Sequence, residues 1–228
     1  LEGFIMKKSL LAGLSVLSVF LLSSCGNSSN SSANANSKTQ KSEASKTSTT
    51  TAKRVRGKLT KVGTYSVRNG VKATLVKIFH PSQKLTFKED HKSIDVGFDD
   101  IKIIENDIQD SSIKKDLDDV YKTSISGNKF YTVQIDFNLT NKTGNDAYLE
   151  GLSTLTIGNR SLSDGQFYDP TPGVTVSNNA TYSNSIVAVV DKNETNFSRL
   201  GIAFENIDEP GQSNMLMQPT SSQYLSLN

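Results

Sequence analysis

The sequence predicts an all-β fold, an antiparallel sandwich that carries one short helix. Apolar and polar residues alternate along several short runs, and clusters of turn-forming residues separate these runs. Only one segment has the periodicity of an amphipathic helix. About seven to nine short strands with turns between them are typical of a sandwich of antiparallel sheets.

The clearest predicted strand covers residues 130–141, where apolar and polar side chains alternate. The apolar set is Tyr131, Val133, Ile135, Phe137 and Leu139. The polar set is Thr132, Gln134, Asp136, Asn138 and Thr140. Successive side chains of a strand point to opposite faces of its sheet, so we expect the apolar set to be buried and the polar set to face water.

Turn signals predict the other strands. Asn69-Gly70 lies between the runs 59–67 and 71–79, and this dipeptide is the strongest short signal for a hairpin. The segment 158–160 similarly separates 153–157 from 161–162. We also expect short strands at 94–96 and 101–105, and a late pair formed by 184–190 and 198–204.

Segment 111–122 departs from this alternation and predicts a short helix that lies on the sandwich. The residues at helical spacing are Ile113, Leu117, Val120 and Tyr121. Ser111 or Ser112 offers an N-cap.

The N-terminal residues predict an export signal. Lys7-Lys8 precede the apolar stretch 10–22, and the small residues Ser23 and Ser24 lead to Cys25, the only cysteine. The apolar core is shorter than the roughly 18 residues that a membrane-spanning helix requires, so a cleaved signal peptide is favoured. Residues 1–5 precede Met6, which we take to be the true start.

The motif Leu22-Ser23-Ser24-Cys25 resembles the lipobox of bacterial lipoproteins. In these proteins the cysteine becomes the lipidated first residue of the mature chain. The resemblance implies attachment to the membrane through lipid on Cys25, on the extracellular face of the cell membrane.

Residues 25–57 are predicted to form a disordered basic tether. Residues 26–52 contain no Val, Ile, Leu or aromatic residue, so this stretch lacks the apolar surface that would offset its ordering entropy. Residues 26–58 carry a net charge of +6 and residues 59–228 a net charge of −5. The positive charge of the tether favours binding to anionic lipid headgroups or anionic wall polymer. Alternatively, its lysines only keep the tether soluble. The net negative charge of residues 59–228 disfavours nucleic-acid binding.

The predicted organisation has four parts. Residues 1–24 are a leader and lipoprotein signal peptide, 25–57 the lipidated cysteine and tether, 58–207 the β-sandwich domain, and 208–228 a C-terminal tail. In the polar tail, 215–217 and 224–225 predict either a last strand or a frayed end.

Few residues point to catalysis or cofactor binding. His80 and His91 are the only histidines and are expected in solvated loops, and no Gly-x-Ser-x-Gly motif is present. Lipid on Cys25 would leave no thiol for a disulfide, a nucleophile or a zinc site. We therefore predict no catalytic residue, metal ligand or cofactor.

Two residue groups leave alternatives open. The acidic clusters 99–100, 105–110 and 116–119 lack a calcium-loop pattern and are expected to be solvated faces, with calcium binding undecided. Aromatic residues form either an exposed ligand patch or part of the core. These aromatic residues are Phe130, Tyr148, Phe167, Tyr168 and Tyr182.

The segment 130–141, FYTVQIDFNLTN, resembles the strand Y-x-V-x-I-x-F-x-x-x-N of an Ig-like domain of unknown function in Gram-positive lipoproteins, similar to mycobacterial secreted immunoprotective antigens. Residues 162–168 resemble the L-x-D-x-x-G-x-x-Y turn of that family in compressed form, and 183–190 resemble its G-x-V-x-F-x-V strand without the usual glycine. The resemblance covers residues 60–206. It implies an immunoglobulin-like sandwich with no known catalytic residues.

The predicted function is therefore that of a membrane-anchored extracellular lipoprotein of a Gram-positive bacterium. Its Ig-like domain would bind a protein or a cell-envelope component and would not be an enzyme. The alternatives are a small solute-capturing lipoprotein associated with a transporter and, with less support, a cell-envelope hydrolase.

Overall fold

A computed structural model describes residues 52–227, and this part of the chain is mostly β. The predictions for residues 1–51, which include the lipobox Leu22–Cys25 and most of the tether, lie outside the described residues. Among the described residues, no helix combines the length and the apolar character that crossing a membrane requires.

Fifteen strands and one α-helix are formed within residues 52–227. The first eight strands are β1 (Lys53–Arg54), β2 (Thr64–Arg68), β3 (Val71–Phe79), β4 (Leu85–Glu89), β5 (Lys92–Ile108), β6 (Lys129–Lys142), β7 (Ala147–Leu149) and β8 (Leu152–Ile157). The others are β9 (Arg160–Ser163), β10 (Val174–Val176), β11 (Thr181–Val190), β12 (Arg199–Phe204), β13 (Ile207–Asp208), β14 (Met215–Met217) and β15 (Gln223–Ser226). The helix α1 covers Lys114–Tyr121 and follows a 3-10 turn at Ser111–Ile113.

The strands form three sheets. The large sheet has seven strands in the order β1-β2-β3-β5-β6-β11, with β4 beside the first part of β5. Two four-stranded sheets have the orders β10-β7-β13-β14 and β15-β12-β8-β9. All pairs are antiparallel except β1 with β2, so the structure confirms a mostly antiparallel β fold with one short helical segment.

The three sheets share one hydrophobic core. Ile135 of the large sheet, Leu149 of one small sheet and Leu155 of the other belong to the same buried cluster. The predicted apolar set of the 130–141 strand contributes Val133, Ile135, Phe137 and Leu139 to this core, with Tyr131 packed at its margin. The face of β6 predicted to be apolar is therefore the face that the small sheets cover.

The opposite face of the large sheet is covered over part of its length. Near the end of β5 and the start of β6, helix α1 and the following loop pack on it through Leu117 and Ile125, which cluster with Phe130. Farther along, Leu59 packs on Leu75 and Ile104. The other end of this face carries exposed polar side chains.

Partial coverage of this face corrects the prediction for the polar set of the 130–141 strand. Asn138 and Thr140 are partly exposed, as expected, but Thr132, Gln134 and Asp136 are buried. Thr132 is paired with Ile104, which belongs to the covering cluster. Alternation alone did not reveal a second, local apolar layer over this half of the strand.

Several boundaries also differ from the predictions. The segments 94–96 and 101–105 are parts of the single strand β5, which continues through a bulge between Phe98 and Asp100. The run 59–67 is a strand only from Thr64 onward. The segments 184–190 and 198–204 are strands but not partners, since β11 pairs with β6 and β12 with β8 and β15. The strands at 85–89 and 147–149 were not predicted.

Both ends of the predicted domain extend further than expected. Lys53–Arg54 lie in the predicted tether but pair with β2. Residues 208–228 were predicted as a tail with either a last strand or a frayed end, and Leu216, Met217 and Leu225 are buried in the main core. The tail therefore supplies two strands and part of the core, because β14 and β15 pair with β13 and β12 while their apolar side chains enter the core.

Candidate functional site

A buried charged cluster lies at the centre of the large sheet, beside the bulge in β5. The side chain of Lys102 is 2% exposed, and its ammonium lies 2.6 Å from Oδ2 of Asp136 and 3.2 Å from Oδ2 of Asp100. Asp100 and Asp136 are direct cross-strand partners on β5 and β6. Two like charges placed opposite each other repel, and the ammonium between them compensates for that repulsion.

The carboxylate of Asp136 is held by hydrogen bonds on both oxygens. Gln134 donates to Oδ1 at 2.7 Å and Ser185 to the same atom at 2.6 Å, while Lys102 donates to Oδ2. Burial acts to raise the pKa of Asp136, but the hydrogen bonds from Lys102, Ser185 and Gln134 and the charge of Lys102 outweigh it and lower the pKa to about 2. The group is thus an ion pair fixed by neutral donors.

The cluster reaches the surface through His80. Nδ1 of His80 lies 2.8 Å from Oδ1 of Asp100, whose side chain is 14% exposed. The His80 ring is 67% exposed, as expected for a loop histidine, although no partner was predicted for it. His91 is exposed in the turn between β4 and β5.

The uncovered end of the same sheet face carries a second polar array, which we call the open polar face. Its residues are Thr86, Asp95, Asp99, Asn138, Thr140, Lys142, Thr181 and Ser183. They are linked across four strands by hydrogen bonds such as Asn138 to Asp99 at 2.7 Å and Thr140 to Thr181 at 2.9 Å. Burial acts to raise the pKa of Asp95, but its bonds to Lys142 and Thr86 outweigh burial and lower it.

A shallow polar depression lies between the end of β4 and the segment 217–223. Its volume is about 170 Å³, and its walls include Phe87, Glu89, Met217 and Gln223. Ligand pockets usually enclose roughly 300–1,000 Å³, so this depression is small for an organic ligand.

The predicted acidic clusters have individual structural partners. Asp110 accepts a bond from the backbone N–H of Ser112 and caps the 3-10 turn, a role that the sequence assigned to Ser111 or Ser112. Asp118 accepts a bond from the backbone of Ile125, and Glu105 one from Tyr131. Among residues 52–227, no group of three or more His, Cys, Asp or Glu side chains is arranged to hold a metal ion.

The aromatic residues do not form one exposed patch. Phe130 and Phe167 are buried, and Tyr182 packs against Phe137 with ring centroids 6.1 Å apart. Tyr148 and Tyr168 are partly exposed.

Lys102 was not predicted as a functional residue, and Asp136 was expected to face water. The available signal was the run Ile101-Lys102-Ile103-Ile104, in which a lysine stands among three isoleucines. A lysine in such a run is buried only when its charge is compensated, so the run predicts an acidic partner for Lys102. Its closer partner, Asp136, lies on a distant segment, and the strand register that brings the two together was not predictable.

Comparisons of the chain with protein-family models, with curated proteins and with solved structures found no match.

Proposed function

We propose that this chain is a membrane-anchored extracellular lipoprotein whose immunoglobulin-like domain binds a cell-envelope component without catalysis. The anchor is supported by the order of charged residues, apolar stretch and small residues that ends at Cys25. Two or more acyl chains on one cysteine give stable membrane attachment, since each buried methylene contributes about 0.8 kcal/mol.

An immunoglobulin-like arrangement is consistent with the position of the motif strand. Residues 130–141 lie within β6, between β5 and β11, and the apolar residues of the motif point into the core that the three sheets share. The proposal of a sandwich rests on this shared core and on the resemblance of the segment FYTVQIDFNLTN.

The open polar face is the observation that favours binding. Its hydroxyl, amide and carboxylate groups are already oriented by mutual hydrogen bonds, and Thr181, Ser183 and Asp99 are exposed. Protein interfaces are enriched in aromatic residues, Met and Arg, and this face has none of them. Such a surface suits a hydroxyl-rich polymer of the envelope better than it suits an apolar protein patch.

The anchor is tested by Cys25→Ala in the producing cells. We expect the variant to accumulate as unprocessed precursor or to appear in the medium, whereas the unaltered chain stays in the membrane fraction. Equal amounts of both proteins in the membrane, processed to the same size, would contradict lipid anchoring.

Binding is tested with purified cell walls as the probe, in a sedimentation assay. Asn138→Ala/Ser183→Ala removes polar groups from the open polar face, and Thr175→Ala/Ser226→Ala is the control at exposed strand positions elsewhere. We expect the first double variant to bind roughly tenfold more weakly, because each lost hydrogen bond is worth about 0.5–1.5 kcal/mol. The control should bind normally.

Other outcomes of the same series support the alternatives. Absence of saturable wall binding, with one protein crosslinked to this face on intact cells, would favour a protein partner. Thermal stabilisation by a small solute would favour the solute-capturing lipoprotein, and cleavage of the wall preparation would favour the hydrolase.

A further inference from the structure

We propose that Lys102 and Asp136 condense into an intramolecular amide bond, with Asp100 as the group that transfers the protons. The bond would join Nζ of Lys102 to Cγ of Asp136 and would link β5 to β6 covalently. The reaction requires only the folded chain itself.

The reacting groups are already in contact. Nζ of Lys102 lies 2.6 Å from Oδ2 of Asp136, and the two side chains are 2% and 9% exposed. Such closeness between a nucleophile and its target converts a slow bimolecular condensation into a step with a high effective concentration. The neighbours Ile101, Ile103 and Ile135 are fully buried, so both strands are held rigidly at this position.

The two oxygens of Asp136 have different surroundings. Oδ1 accepts hydrogen bonds from Gln134 and from Ser185, whereas Oδ2 faces the lysine. When the amine attacks Cγ, negative charge develops on a carboxyl oxygen, and donors that already point at Oδ1 stabilise it there. Oδ2 is then the oxygen that leaves.

Asp100 is placed to move the protons. Its Oδ2 lies 3.2 Å from Nζ of Lys102, and Asp100 is the direct cross-strand partner of Asp136. A carboxylate within hydrogen-bond reach of the nucleophile acts as general base and then as general acid. Its other oxygen, Oδ1, lies 2.8 Å from the exposed ring of His80, which connects this group to solvent.

The step balances without any other reactant. The ammonium of Lys102 gives one proton to Asp100, which passes it to Oδ2 of Asp136, and the neutral amine then attacks Cγ of the neutral carboxyl group and forms the N–C bond. The nitrogen gives a second proton to Asp100, which transfers it to Oδ2, and the Cγ–Oδ2 bond breaks as Oδ2 leaves with both protons as water. One positive and one negative charge disappear together, so the net charge of the chain is unchanged.

Burial favours the amide product. A neutral amide replaces two ions in a site that excludes water, which removes the desolvation cost of both charges. Hydrolysis of the product would need water at a position where the lysine side chain is 2% exposed.

The chain offers a matched internal control. Lys142 and Asp95 lie on the same two strands with Nζ 2.5 Å from Oδ2, but Lys142 is 51% exposed and its amine is solvated. If contact alone were sufficient, this pair would also condense. We expect it to remain an ion pair.

The test is mass spectrometry of the full-length chain after proteolytic digestion. We expect a branched peptide that joins residues 102 and 136 and that has lost the mass of one water molecule, with Lys142 and Asp95 recovered on linear peptides. Recovery of Lys102 and Asp136 only on linear peptides from the folded protein would overturn the proposal.

Two variants separate the chemistry from folding. Asp100→Asn retains the size of the side chain but lacks the base, and we expect folded protein without the branched peptide. Asp99→Asn changes the adjacent exposed carboxylate, and we expect the branched peptide to persist. An unchanged yield of branched peptide in Asp100→Asn would overturn the role of Asp100.

Discussion

Lys102 and Asp136 are diagonal neighbours on adjacent strands, and the residue directly opposite Lys102 is Gln134. The bulge between Phe98 and Asp100 sets the register in which Asp100 is opposite Asp136 and the lysine can reach both carboxylates. The bulge in β5 therefore brings the ammonium and the two carboxylates together at the centre of the large sheet.

Replacement of Lys102 by Met should destabilise the domain strongly. The change removes both the cation and the amide that it forms, and it leaves the carboxylates of Asp100 and Asp136 opposite each other. An uncompensated buried charge of this kind costs about 3–5 kcal/mol. Urea unfolding measures the loss. Lys142→Met is the control, and it should cost about 1 kcal/mol or less, because its pair with Asp95 is exposed. Equal losses for the two variants would contradict a buried, compensated cluster.

The acid stability of the Asp100→Asn variant depends on the lowered pKa of Asp136, about 2 in the folded protein against 3.8 for the unperturbed group. A carboxyl group whose pKa is lowered by folding stabilises the folded state above its unfolded pKa, and this contribution is lost as the pH falls toward the folded value. We expect the unfolding free energy of the variant to decrease by about 1–2 kcal/mol more than that of the unaltered chain between about pH 4 and pH 2.

This difference arises because an amide at Asp136 does not titrate, whereas the unreacted carboxylate of the variant does. The other carboxyl groups whose pKa is lowered, such as that of Asp95, affect the acid stability of both proteins equally. Asp99→Asn serves as the control and should follow the unaltered chain. Parallel pH profiles for Asp100→Asn and the unaltered chain would contradict this prediction.

The local patterns predicted much of the fold. The Asn69-Gly70 turn forms as expected, with positive φ at both residues and Arg68 paired with Val71. The Gly158-Asn159 hairpin also forms, although Arg160 already belongs to the second strand. Such turns depend on a few adjacent residues, so the sequence contains all the information that fixes them.

Features set by distant contacts were not predictable. The pairing of β11 with β6 rather than β12 is decided by long-range register, which alternation within each strand leaves open. The burial of Asp136 follows from the same cause, because it depends on Lys102 and on the segments that cover this face. Polar residues at alternating positions indicate one face of a strand, but they do not show whether another layer covers it.

Asp169 should fix its loop to the start of β8. Its Oδ2 accepts a bond from the backbone N–H of Leu152 at 2.6 Å, and its Oδ1 accepts bonds from the backbone and hydroxyl of Thr171 at 2.9 and 2.8 Å. Burial raises the pKa of this carboxyl group despite those bonds. Asp169→Ala leaves buried donors without partners, which costs about 1–3 kcal/mol.

Thermal unfolding and hydrogen exchange of the Leu152 and Thr171 amides measure this effect. Asp164→Ala, at an exposed turn position nearby in sequence, is the control and should leave exchange at both amides unchanged. Unaltered protection of Leu152 in Asp169→Ala would show that the carboxylate does not hold the loop.

Gly70 joins the first hairpin to the helical segment, and its replacement by Ala should perturb both. Its φ is +74°, and a Cβ atom there would lie 2.8 Å from Cβ of Asp110. Its carbonyl accepts bonds from the backbone N–H groups of Gln109 and Asp110. Gly63 has nearly the same φ, +79°, but a Cβ atom at that residue would meet no other atom within 4 Å. Gly63→Ala therefore reports the backbone strain alone, about 1–2 kcal/mol.

We expect Gly70→Ala to be less stable than Gly63→Ala by urea unfolding, because the clash with Asp110 adds to the same strain. Only Gly70→Ala should accelerate hydrogen exchange in residues 109–113, since the cap of the 3-10 turn must shift to make room. Equal stabilities with unchanged exchange would mean that the hairpin and the helix entry adjust independently. A selective effect would show that the first hairpin positions Asp110, and through it the helix that covers the large sheet.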